Sequence, residues 1–311
     1  MPAFTTSAPG KVILFGEHAV VYGQPAIAVP VLDVQAKAII QARPGGEGIS
    51  LIAPDLSVHN QLKDLPLDDA IALAIHLTLK ELGVPELPAC TLIISSTIPI
   101  AAGLGSGAAV SVAIIRAVYG FLGHPFSDET VNRLSFEVEK LHHGTPSGID
   151  NTVVTYRKPV HFVKGQPIRT LEIKLPFIMV IGDTGIKCPT SVTVGGVRAA
   201  YEAEPALFET YFDMCNRIVN KALFSISDKR NAALGPLMND NHQVLQKMGV
   251  SSLELDNLVD AARDAGALGA KLSGGGRGGN MIALVEPNTA EKVAAALREA
   301  GAVNTIITTV R

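Results

Sequence analysis

Residues 99–110 read PIAAGLGSGAAV, a glycine-bearing loop that runs straight into a stretch of small residues, 108–122, closed by Gly123. Glycines at 103, 105 and 107 let the backbone approach an anion closely, and the small residues behind them leave the start of the predicted helix unobstructed. Exposed amides and the positive end of the helix dipole then suit phosphate. A plain loop ahead of a buried helix is the alternative reading. No GKS or GKT follows, so this is not a P-loop. No acidic residue ends a strand about 20 residues on, so the dinucleotide fingerprint is not made either.

Three further segments share this polar, glycine-bearing character. Residues 9–23 read PGKVILFGEHAVVYG and gather Lys11, Glu17 and His18 around a predicted strand, Val12–Phe15. Residues 271–279 read KLSGGGRGG, in which glycine fills five of the seven positions from Ser273 to Gly279. So much glycine loses unfolded-state entropy unless the backbone must wrap something, and Arg277 within it offers a planar cation suited to phosphate. Residues 143–151 read HGTPSGIDN and set Asp150 behind a proline–serine–glycine turn that can hold a carboxylate in place. Glu139, eleven residues before Asp150 on a predicted helix, is a candidate metal ligand. Solvated surface charge is the alternative for each of these side chains taken singly.

The bulk composition narrows the classes. At 311 residues the chain is long enough for one large or two ordinary domains. Hydrophobic residues make up 47%, yet no window of about 18 uncharged apolar residues occurs, so no membrane partner is expected. The opening MPAFTTSAPGK lacks the basic start and apolar run of a signal peptide, which makes a cytoplasmic location the expectation. A net charge of −3 gives no reason to expect nucleic acid as a partner. Three cysteines, Cys90, Cys188 and Cys215, show no metal spacing and read as reduced thiols.

Along the chain, Val12–Phe15, Ala26–Val34 and Thr91–Ile94 read as strands, and Ile71–Leu82 as a helix stopped by Gly83. Ser127 caps the next helix, which should fail at residues 144–146. Residues 153–173 read as a strand pair turning at Lys164–Gly165–Gln166, followed by a strand at Phe177–Ile181. Helices are predicted over about 192–203, 205–224, 231–248, 252–265 and 290–300, with strands at 281–285 and 303–310. The mixture lacks strict βα alternation, which argues for α+β, and the pattern changes near residue 175, dividing the chain into domains 1–175 and 176–311.

In order, PGKVILFGEHAVVYG, PIAAGLGSGAA, HGTPSGIDN and LSGGGRGG resemble the signature segments of the GHMP small-molecule kinases across the whole chain. GEHAVVYGQPAIAVP, HGTPSGIDN and the stretch 238–258 (MNDNHQVLQKMGVSSLELDNL) are similar to the branch that phosphorylates mevalonate. The resemblance implies a two-lobed fold, an N-terminal lobe like domain 2 of ribosomal protein S5 and a ferredoxin-like C-terminal lobe. It implies ATP, Mg²⁺ and mevalonate as ligands. Carried over position by position, Asp150 takes the catalytic aspartate's place and Lys11 the active-site lysine's. Glu17, His18 and Thr184 join them as substrate contacts. Ser96, Ala101, Ala102, Gly103, Leu104, Gly105, Ser106 and Gly107 fall on the ATP phosphate loop, with Gly275 and Gly276 from the third motif. Glu139, and second to it Ser106, would meet the metal.

Two departures stand out. The family usually carries two serines in GLGSS, the second a magnesium ligand, and here that position is Gly107. Its third motif usually reads TGAGGGG, where this chain has Ser273, Gly275 and Arg277. Another reaction on the same scaffold and a non-catalytic sensor are the rival readings. Oligomeric state is not legible; a homodimer is one assembly the sequence permits.

Overall fold

A computed structural model describes residues 3–56, 58–66, 68–99, 103–143 and 146–311, and Ala101 and Ala102 lie outside them. Two compact units emerge, and neither is a continuous segment. The first holds residues 1–10, 34–99 and 105–157; the second holds 11–33, 100–104 and 158–311. A single cut near residue 175 therefore differs from the observed division, whose last crossing lies between Arg157 and Lys158. The chain also crosses near its start, because strands β1 (Ala3–Phe15) and β2 (Ala26–Ala42) each run through both units.

The burial pattern of β2 marks the crossing. Residues 26–31 are buried without interruption, whereas from Val34 onward buried and exposed positions alternate, as in a strand with one wet face. In the first unit this alternating half pairs antiparallel with β5 (Cys90–Ser96), which pairs parallel with β3 (Ile49–Ala53), itself antiparallel to β4 (Val58–Gln61). Helices α1 (Ala70–Leu82), α2 (Ser106–Phe121), α3 (Asp128–His143) and α4 (Ile149–Tyr156) pack together in the same unit. Asp69 caps α1 by accepting from the amides of Ile71 and Ala72, and left-handed Gly83 ends it. Ser127 Oγ accepts from Thr130 N at 3.2 Å and starts α3.

In the second unit the apolar half of β2 pairs with β6 (Val160–Phe162), which forms a hairpin with β7 (Arg169–Thr170). Beyond it, β8 (Phe177–Asp183), β9 (Gly269–Ser273), β10 (Asn280–Val285) and β11 (Asn304–Val310) form one antiparallel sheet in the order β11-β8-β10-β9. That is the ferredoxin-like strand order expected of the C-terminal lobe. Helices α5 (Thr190–Ala203), α6 (Pro205–Ser227), α7 (Leu234–Lys247), α8 (Leu253–Asp264) and α9 (Ala290–Glu299) accompany it. Among the described residues, no helix is long and apolar enough to cross a membrane.

The expected strand over residues 153–156 is corrected to helix. Val153, Val154 and Thr155 are β-branched, but Ile149 and Val153 fall one helical turn apart and are buried with Val154 beside α2 and α3. Tertiary burial overrides propensity there. The single helix expected over 231–248 is a 3₁₀ turn (Asn231–Ala233) followed by α7. Strands β3, β4 and β9 were not foreseen.

Backbone contact fixes the seat of β9. A Cβ on Gly269 would lie 2.0 Å from the carbonyl oxygen of Gly235 in α7, which only a backbone shift could relieve. Gly269→Ala should therefore lose about 3 kcal/mol or more and lower Tm by several degrees. Gly195 in α5 has open space around its Cα, so Gly195→Ala should gain about 0.5–1 kcal/mol from helix propensity. Paired thermal melts check both signs; equal melts for the two variants would contradict the close approach.

Candidate active site

In the first unit, α2 starts at Ser106 with Gly105 as its N-cap, at φ 73° and with no side chain to cap the first turn. The first-turn amides are thus open to an external acceptor at the positive end of a 16-residue helix, which suits a phosphate. Glu139 on α3 is buried, and a Cβ on Gly107 would stand 3.5 Å from its Oε1. One carboxylate beside a helix start that no side chain caps suits Mg²⁺, which takes one or two carboxylates, phosphate oxygens and water. The donor set fits that ion.

Asp150 occupies the first turn of α4, behind left-handed Gly148 at φ 88°. Its neighbours anchor it. Ile149 is buried, and the Asn151 amide donates to Asn132 Oδ1 of α3 at 2.6 Å. The helix carrying Asp150 is thereby tied to the helix carrying Glu139. Arg116 of α2 adds a 2.6 Å bond to the Thr155 carbonyl and a 2.7 Å ion pair to Asp128. Ser96, by contrast, has its groups engaged locally. Its amide donates to Asp55 Oδ2 at 2.7 Å, and its hydroxyl accepts from the amide of Ile98 at 3.1 Å.

In the second unit, Lys11 is 3% exposed, and its amide donates to the Leu104 carbonyl at 2.9 Å, tying β1 to the glycine loop next to exposed Gly103. Gly16, at φ 94°, turns the chain where a Cβ would lie 2.5 Å from the Pro25 carbonyl oxygen. Glu17 follows, fully buried, its carboxylate ion-paired with the ammonium of equally buried Lys271 on β9. Burial raises the Glu17 carboxyl and lowers the Lys271 ammonium, and each charge partly offsets the shift of the other. His18 takes a positive φ of 60°, and its Nε2–H donates to the Gly275 carbonyl at 2.9 Å. The imidazole is held down to about 4 by burial, with Arg277 and Lys271 adding to the effect. Nδ1 of this neutral ring is a buried acceptor without a partner among the described residues.

Thr184 Oγ1 donates to the Gly279 carbonyl at 3.0 Å and accepts from the Ile186 amide at 3.2 Å, so its hydroxyl closes the exit of the glycine-rich motif. Protein backbone, too, accounts for the glycines there. A Cβ on Gly276 would lie 2.0 Å from the Val250 carbonyl oxygen, and one on Gly278 2.6 Å from that of Ile186. Arg277 is exposed and left-handed at φ 55°; its Nε donates to the Gly249 carbonyl at 3.1 Å.

Sequence reasoning gave no role to Lys271 or His242. The latter, in α7, accepts from the Leu272 amide through Nδ1 at 3.3 Å and turns Nε2 toward Asp256 Oδ1 at 3.1 Å. The local signal for Lys271 was its place two residues before Ser273, which puts both on one face of β9. Cys90 and Cys215 are free, buried thiols pushed up to about 11 and about 12, which keeps them protonated and inert.

Comparison with known proteins follows this geometry. Residues 69–158 match the family described as GHMP kinases N terminal domain, and residues 220–303 match GHMP kinases C terminal. The mevalonate kinase of Pyrococcus furiosus is 40% identical over 313 residues, which cover 95% of this chain and 92% of that protein. The crystal structure of L. major mevalonate kinase in complex with R-mevalonate superposes with a TM-score of 0.86 at 30% identity, covering 99% of this chain and 95% of the other. The Methanococcus jannaschii mevalonate kinase follows at a TM-score of 0.85 and 28% identity, covering 99% and 98%.

The two depressed histidines give a pH signature. His18 and His242 are each held down to about 4, chiefly by burial, against 6.5 for the free side chain. Between those values the unfolded chain binds more protons than the folded one. Stability is therefore complete above about pH 6.5 and is lost as pH falls toward 4. Each histidine accounts for about 1–3 kcal/mol of that loss. Urea titrations at pH 7.5 and 5 should show the fall, and His242→Gln should show a smaller one. An equal fall in parent and variant would remove His242 from this account.

Proposed function

We infer from the chain's kinship — it belongs to the mevalonate kinases of the GHMP kinase family — that it transfers the γ-phosphoryl group of ATP to the C5 hydroxyl of mevalonate. The products are 5-phosphomevalonate and ADP, in isoprenoid precursor biosynthesis. ATP with Mg²⁺, when bound, supplies the phosphoryl group and neutralises its charge, and such loose transfers ask a protein mainly for positioning and electrostatics. The observation that carries the phosphate half of this reading is the uncapped start of α2 with the Glu139 carboxylate beside Gly107.

Each side chain then has a role. Gly103, Leu104, Gly105, Ser106 and Gly107 line the phosphates with backbone amides. Glu139 holds Mg²⁺, and Ser106 stands second to it. Asp150 accepts the proton of the attacking hydroxyl or orients that hydroxyl, while Lys11 stabilises charge developing on the group in transfer. His18, kept neutral by burial, accepts a hydrogen bond from a substrate hydroxyl at Nδ1. Its neutrality at physiological pH is what leaves that lone pair available. A cytoplasmic setting goes with this reading, and sedimentation velocity separates monomer from homodimer.

Phosphorus NMR of the product formed from mevalonate and ATP tests the reaction; absence of a phosphomonoester would end the reading. Asp150→Asn should keep the fold and nucleotide binding while lowering kcat by about 100-fold or more. Lys11→Ala should also lower kcat; a change confined to KM for mevalonate would make the lysine a binding group only.

Gly107→Ser probes the metal. The site offers ordinary van der Waals space for the new Cβ beside Glu139 Oε1. The added hydroxyl should replace a water on Mg²⁺ and lower the Mg²⁺ concentration for half-maximal activity. A Mg²⁺ titration at fixed ATP decides this, and an unchanged or raised requirement would turn this loop away from the metal.

A further inference from the structure

Lys271 and Ser273 alternate along the end of β9 and share one face of it, and Gly275 follows just past the strand, after Gly274 at φ 89°. Every one of the three bonds to the segment 11–18. Lys271 pairs with Glu17, with both side chains fully buried. Ser273 Oγ accepts from the Ile13 amide at 3.1 Å and donates to the Ile13 carbonyl at 2.9 Å. The Gly275 carbonyl accepts from His18 Nε2 at 2.9 Å. Lys271 Nζ also donates to the carbonyl of Leu272, so its position is set by the strand it sits on.

The segment these bonds hold contains one strained residue. Gly16 and His18 both take positive φ, which glycine adopts freely and an unsupported histidine disfavours. The opposite side of the motif is filled by protein, since Gly276 and Gly278 lie against the carbonyls of Val250 and Ile186. The amides of Arg277 and Gly279 donate to those two carbonyls at 2.8 and 2.9 Å, so these two are not left to offer an anion.

Resting on the mevalonate kinase reading, we propose that residues 271–275 are a clamp for the substrate segment rather than a second phosphate loop. Lys271 and Ser273 are positioning residues that fix the His18 ring with Nδ1 as its acceptor, and so determine the fit of the hydroxy-acid substrate. Neither residue touches that substrate. They act through Glu17, Ile13 and His18.

The test compares Ser273→Ala with Ser273→Thr, which restores a hydroxyl. Ser273→Ala should raise KM for mevalonate fivefold or more while KM for ATP stays within twofold, and Ser273→Thr should return KM toward the parent value. Lys271→Met should move KM for mevalonate in the same direction; if that variant does not fold, the Ser273 pair still decides. Nitrogen-15 NMR of the His18 ring gives a readout independent of turnover. The parent should show the Nε2–H tautomer at neutral pH, and Ser273→Ala should show a mixture of tautomers. Equal or larger changes in KM for ATP, or no change in either constant together with an intact tautomer, would overturn the clamp. If the parent fails to phosphorylate mevalonate, the kinase reading falls, and the ring tautomers alone judge the clamp.

Discussion

Two opposite charges with no exposure to solvent, Glu17 and Lys271, meet across 254 residues of sequence. Taking such a pair out of water costs several kcal/mol per ion, which their attraction only partly returns. An apolar pair of similar volume would stabilise the fold at least as well. What the ion pair adds is direction: a carboxylate has only a few ways to meet an ammonium whose other contact is a fixed carbonyl. The turn at Gly16, the ring of His18 and the start of the glycine-rich motif all take their places from that geometry. The same buried charges help keep the neighbouring histidines neutral, because Lys271 opposes protonation of both His18 and His242.

Two glycine-rich segments that look alike in composition therefore answer different physical demands. At Gly103–Gly107 the glycines lead into a helix start that no side chain caps by a hydrogen bond. At Gly274–Gly279 they let the chain lie against two carbonyls of its own backbone, at distances that exclude any Cβ. Glycine content alone does not separate an anion cradle from tight backbone packing. The discriminating fact is what a Cβ would strike.

Much of the fold was legible because helix signals here are local. Gly83 and Ser127 sit where the caps were expected, and the long amphipathic segments after residue 190 hold their helices to within a few residues. Strand signals were weaker. β3 and β4 lie in a stretch with few apolar alternations, and β9 is short and runs into glycine, so its identity depends on α7 and β10 packing beside it. α4 was misread because its β-branched residues face a helical layer, which only tertiary structure supplies. Of the candidate site, Lys11, Glu17, His18 and Asp150 were visible as polar residues amid glycine, and Glu139 as a carboxylate on a predicted helix. Lys271 was visible as a letter and silent as a function. Nothing near it in sequence announces a carboxylate 254 residues away.

The double crossing of the chain near its start has a temporal side. Residues 11–33 belong to a unit whose remaining structure, apart from residues 100–104, lies from Lys158 onward. At roughly 5–20 residues per second of synthesis, Glu17 leaves the ribosome tens of seconds before Lys271 exists. In that interval Glu17 lacks the ammonium with which it pairs in the folded unit. The sheet of the second unit closes only after β8, β10, β9 and β11 have all been made.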